Sequence, residues 1–150
     1  MKRIIPVFIC TVLLMTSAVY AMGLSTTFGR VRVDNLMAGQ RYSMQRDGDA
    51  PFIIKNTSNF ELKLKMDVVI PSENELVEGY EAIPDAGWIN VQGDSFNLPP
   101  ESDLSTDIII TVPDDDIYKG KKYQVYIWSH TEGGAIAVGL KSKLLISIAE

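Results

Sequence analysis

The sequence predicts an all-β protein, a two-sheet antiparallel β-sandwich of about seven strands. Two observations carry this reading. Apolar and polar residues alternate with period two over several segments, the pattern of half-buried strands. Proline- and glycine-containing turns interrupt the chain at short intervals, and no helical 3.6-residue period persists for ten residues. A closed barrel with a ligand cavity is the second architecture considered, and the short, uneven strands argue against it.

The reading starts after the first 21 residues. A basic head, "MKR", precedes the apolar run "IIPVFICTVLLM" and then "TSAVYA", with Val19 and Ala21 at the small-residue positions before a cleavage site. Residues 1–21 are therefore expected to be a signal peptide cut after Ala21, since twelve apolar residues are too few for a membrane span of ~20. Cys10, the only cysteine, lies in this run without a small residue just before it, which argues against a lipid anchor. Residues 22–150 then form one exported domain, periplasmic or extracellular, without disulfide or thiol chemistry.

Charge narrows the partners. Loss of Lys2 and Arg3 from the 14 basic residues leaves 12 against 19 acids, a net charge of −7. That sign disfavours nucleic acid and adsorption to anionic lipid. No second apolar run reaches spanning length, so no membrane span is expected after processing.

Along the chain, "MGLSTTFG" reads as a polar arm and "RVRVDNL" (30–36) as the first strand, with Val31 and Val33 against Arg30, Arg32 and Asp34. "PFIIKNTS" (51–58) opens on proline and closes in turn formers. "ELKLKMDVVI" (61–70) sets Leu62, Leu64, Met66, Val68 and Ile70 on one face. Residues 71–87 form a long connection holding at most a short helical turn. "WINV" and "FNL" flank a "QGDS" turn, and "TDIIITV" (106–112) points Ile108, Ile110 and Val112 inward. "KYQVYIWSH" (122–130) and "AIAVGLKSKLLISI" (135–148) form a hairpin around "TEGGA". In the last strand Ile136, Val138, Leu140, Ser142, Leu144, Ile146 and Ile148 share a face, which fixes its register.

Two stretches together resemble a known class. "IIKNTSNFELKLKMDVVIP" and "WINV…FNLPPESDLSTDIIITVPDD…YKGKKYQVYI" are similar to the strand pairs of bacterial extracytoplasmic immunoglobulin-like (fibronectin-like) β-sandwich domains, over roughly residues 28–148. The resemblance implies an immunoglobulin-like sandwich acting as a structural or binding module of envelope and surface proteins. Such domains often carry a tyrosine two residues after a glycine near the start of the penultimate strand. Here Tyr123 stands three residues after Gly120, so a core position is the alternative to a hydrogen-bonded tyrosine corner.

The candidate sites are few. Tyr126, Trp128 and His130 lie on the strand face opposite Tyr123, Val125 and Ile127, and form an outer stripe for a protein or a sugar ring unless the 71–87 connection covers them. Asp114, Asp115 and Asp116 read as a soluble turn that bonds local amides. Calcium is the alternative, although the EF-hand spacing is missing. No other cofactor is expected. A lone histidine without cysteine argues against zinc. The chain lacks a glycine-flanked serine, HExxH and a phosphate-cradling loop, so no enzyme is expected. Trp88 is expected to anchor its loop on the core. The leading expectation is a non-enzymatic part of a bacterial cell-envelope assembly that binds an envelope or surface protein. The alternatives are a carbohydrate-binding module and a pilus-chaperone-like strand donor.

Overall fold

A computed structural model describes residues 23–134 and 137–150. The expected signal peptide, and Ile136 of the last strand, lie outside the described residues. Twelve strands are found among those described: β1 (Leu24–Thr26), β2 (Arg30–Leu36), β3 (Arg41–Ser43), β4 (Phe52–Asn56), β5 (Leu62–Val69), β6 (Glu81–Ala82), β7 (Ile89–Val91), β8 (Ser95–Leu98), β9 (Asp103–Thr106), β10 (Ile108–Thr111), β11 (Lys122–Thr131) and β12 (Gly139–Ile148). One five-residue helix, α1 (Met44–Gly48), separates β3 from β4. The fold is an all-β immunoglobulin-like sandwich.

One layer is a six-stranded sheet in the order β2-β12-β11-β5-β8, with β6 beside β11. Its centre is the antiparallel β11–β12 hairpin, paired from Lys122↔Ser147 to His130↔Gly139. The opposite layer is made of β1-β4-β9 and β3-β10-β7. Only Asp107 separates β9 from β10, and α1 interrupts the partner strand at the same level. The carboxylate of Asp107 accepts hydrogen bonds from Ser43 Oγ and from the Gln45 N–H, while Ser43 Oγ caps α1 by accepting from the Arg46 N–H. The two three-stranded pieces are thereby pinned at a shared kink.

The period-two pattern buries the residues it marks. Leu62, Leu64 and Met66 of β5, Ile108 and Ile110 of β10, and Leu144, Ile146 and Ile148 of β12 are core. Phe28 meets Phe52 edge-on at 4.9 Å between layers. Burial of a side chain such as fully enclosed Phe52 contributes about 2–3 kcal/mol. Ile70 departs from its expected place: it lies past the end of β5 and is exposed.

The strand count exceeds the expected seven for local reasons. The arm before Arg30 carries β1, which pairs Leu24–Thr26 with β4 in one layer, while β2 crosses to the other and runs parallel to β12. β3 and β9 are short and carry mostly polar residues, so their alternation is too brief to read. Trp88 does anchor its loop: it is buried and packs edge-on against Tyr118 and Tyr123 at 4.7 and 5.4 Å. Tyr123 is accordingly a core residue, and burial raises the pKa of its phenol.

Candidate interaction surface

The β11–β12 hairpin positions both the exposed aromatic and an unpaired strand edge. Tyr123, Val125 and Ile127 face the core, so Gln124, Tyr126, Trp128 and His130 face outward. The outer face is partly covered. Gln124 is fully buried beneath the 71–87 connection: its Oε1 accepts from the Val77 N–H at 2.8 Å, and its Nε2 donates to Glu75 O at 3.0 Å. β6 adds parallel pairing at Tyr123 and Gln124.

Tyr126 is also buried, at 8% exposure, so it does not extend an open aromatic stripe. Lys141 Nζ and Lys143 Nζ lie 5.2 and 5.9 Å from its ring centroid, within cation–π range. The flexible stems of two neighbouring lysines supply the cover. Lys141 is held in turn by Glu75 at 3.3 Å. Glu75 caps the turn at Ser72, and the Ser72 N–H, the Ser72 hydroxyl and Lys141 together hold its carboxyl below the ordinary glutamate range.

Trp128 and His130 remain at the surface. Trp128 is 40% exposed and stacks on the imidazole of His130, with ring centroids 4.1 Å apart. His130 Nε2 bonds Asp67 Oδ2 across the strands at 2.8 Å. Gly139, directly opposite His130, makes room for the indole: a Cβ there would lie 2.9 Å from Trp128 Nε1. The aromatic pair is thus set by three adjacent strand positions and a missing side chain.

The strand edge next to it is open. β2 reaches β12 only from Lys143 to Ile148, whereas β11 pairs it from Gly139 onward. The Lys143 N–H donates to Gly29 O and the Ala149 N–H to Leu36 O, both on the β2 side. Val138 O accepts from Thr131, and the Ile148 N–H donates to Lys121 O, on the β11 side. Backbone groups alternate in direction along a strand, so Gly139 and Lys141 aim their N–H and C=O away from β11. Among the described residues no strand pairs with them there. Val138 and Leu140, partly buried, pack against the core beneath this edge.

The aspartate run lies elsewhere and is engaged locally. Asp115 caps a 3₁₀ turn by accepting from the Ile117 N–H, and Asp116 pairs with Lys119 at 2.6 Å, which lowers its pKa. Asp114 packs against Gly39, whose φ of +79° and lack of Cβ permit the approach. Among the described residues no group of three or more His, Cys, Asp or Glu is arranged to hold a metal ion. No described helix is long and apolar enough to cross a membrane. A separate concavity of about 300 Å³ opens near Tyr42, Arg46 and Asp47, whose charged pair is internally satisfied.

No protein-family model matches the sequence, and no curated protein matches it. Solved structures do. The chain is similar to the ASH/PapD-like domain 7 of human CEP192, at 11% identity and a TM-score of 0.62, over 85% of each chain. It is similar to the periplasmic chaperone SfaE, at 10% identity and a TM-score of 0.56, over 85% of this chain and 59% of the chaperone. It is also similar to a carbohydrate-binding protein of Bacteroides ovatus, so described only provisionally, at 8% identity and a TM-score of 0.63, over 85% of this chain and 37% of the other. The chain therefore spans little more than half of the chaperone and less than half of the Bacteroides protein. At such identities the likeness is one of architecture: the chain has a PapD-like, immunoglobulin-like β-sandwich fold.

Proposed function

We propose that the protein is a non-enzymatic, exported interaction domain of a bacterial cell-envelope assembly that binds a protein partner by strand addition at Gly139–Lys141. The observation that carries the reading is the half-paired edge of β12. Two N–H and two C=O groups face outward there, next to partly buried Val138 and Leu140. An incoming strand would continue the line of β2, satisfy these groups and cover the apolar side chains. The fold likeness to a periplasmic chaperone supports an exported role with a protein partner. The alternation Val138, Leu140, Ser142, Leu144 also fits a strand donor of the pilus-chaperone kind, in which β12 would complete a partner's sheet.

Substitution at Lys141 tests strand addition. Proline removes the outward N–H and leaves the β11 ladder intact, whereas alanine removes only the side chain. Co-purification from the native envelope is expected to keep the partner with Lys141→Ala and lose it with Lys141→Pro. Equal recovery with both variants would rule the edge out.

A further inference from the structure

The register of the six-stranded sheet fixes which side chains share its outer surface. Arg30, Lys143, Tyr126 and Val69 form one cross-strand row, and Lys141, Trp128 and Asp67 the next. Gly139, His130 and Lys65 form the third, and Lys63, two residues before Lys65, extends the face toward Asn97 of β8. Rows on one face follow each other at ~7 Å along the strands, and strands lie ~4.8 Å apart. Five cations thus stand on one face of the sheet, with Asp67 and Glu132 (opposite Lys63) among them, in a chain whose formal net charge is −5. Lys141 pairs with Glu75 and Lys65 reaches Asp67 at 3.7 Å. Among the described residues Arg30, Lys63 and Lys143 form no ion pair.

We infer that this face docks an acidic polysaccharide, a polyuronate in chemical class. Three features favour that occupant. Cations repeated along one sheet face complement a polymer with regularly spaced carboxylates. The half-exposed indole of Trp128, placed by its stacking on His130 and the space left at Gly139, offers a platform for the apolar face of a pyranose ring. Asp67 and Glu75 place carboxylate acceptors among the cations, where sugar hydroxyls can donate to them. A DNA phosphodiester backbone has no such donors. A membrane surface calls for a deeper apolar protrusion than one indole. A peptide anchor calls for a pocket, and two cavities found among the described residues, of about 300 and 180 Å³, open elsewhere. The inference rests on side chains of the outer face, whereas strand addition uses the backbone of the adjoining edge; the two share Gly139 and Lys141 but differ in chemistry.

The test is affinity electrophoresis of the processed chain in gels containing polygalacturonate. Retardation is expected, with loss at roughly 0.5 M NaCl as the charges are screened. Neutral dextran should not retard the protein. Trp128→Ala should weaken binding about tenfold, the size of one lost stacking contact. The double variant Arg30→Gln/Lys143→Gln should weaken it at least as much. These positions are at or near the surface, so unchanged thermal unfolding is the control for folding. Absence of retardation by polygalacturonate, unaltered binding by the variants, or equal retardation by duplex DNA, polyglutamate or phosphatidylglycerol vesicles would each overturn the assignment.

Discussion

Single residues show where polar burial stabilises this sandwich and where it does not. Asn56 is fully buried, and its amide is saturated: Nδ2 donates to the carbonyls of Phe60, Leu98 and Pro99, and Oδ1 accepts from the N–H and hydroxyl of Ser58. It ties the β4–β5 turn to the end of β8. Asn56→Ala would leave several of those groups without partners, and equilibrium denaturation should show a loss of about 3 kcal/mol. Ser142 and Ser129 are the opposite case. Both are fully buried, and among the described residues neither hydroxyl has a hydrogen-bond partner. Removing an unsatisfied hydroxyl removes its desolvation cost, so Ser142→Ala should be neutral or stabilising by up to about 1 kcal/mol in the same assay. A clear destabilisation would mean that the hydroxyl has a partner in solution. The sequence signals Asn56 only as part of a turn; its carbonyl acceptors on Leu98 and Pro99 come from more than 40 residues away.

Among the elements, the 71–87 connection depends on β11 for its place. Gln124 holds it through Val77 and Glu75, and Glu75 closes the turn at Ser72. The carboxyl of Glu75 has a lowered pKa in the folded protein, so its contribution is fully present above the unfolded pKa and is lost as pH falls through the folded one. The Ser72 amide resonance should therefore titrate with a midpoint below the ordinary glutamate range, while β11–β12 amides stay unchanged. A midpoint at the ordinary value would contradict the cap. Gln124→Leu should release the connection, seen as faster amide exchange at Val77 and Ile83 with the β11–β12 pairing intact. The long strands β5, β11 and β12 were legible because one face of each is buried and period two survives over eight to ten residues. β1, β3 and β9 span three or four residues, and their strand character comes from distant partners. Burial of Tyr126 was illegible for a related reason. Its cover comes from Lys141 and Lys143, which only the hairpin register brings across the ring.

At the scale of the whole molecule, two layers bury one core among the described residues, and the candidate features collect at one end of the β11–β12 hairpin. Trp128 and His130 were visible in the sequence as outward aromatics, and they do lie side by side at the surface. The open edge was not visible, because it follows from β2 stopping at Lys143 while β12 continues to Gly139. The cationic face was hidden for another reason: Arg30, Lys63, Lys65, Lys141 and Lys143 come from three strands, and their charges disappear into an acidic total. Hydrogen–deuterium exchange at Gly139 and Lys141 tests the half-paired edge most directly. In the isolated protein these two amides should exchange rapidly, while those of Leu144, Ile146 and Ile148 are protected, and partner binding should slow both. Protection already present in the isolated protein, or exchange left unchanged by the partner, would contradict strand addition at this edge.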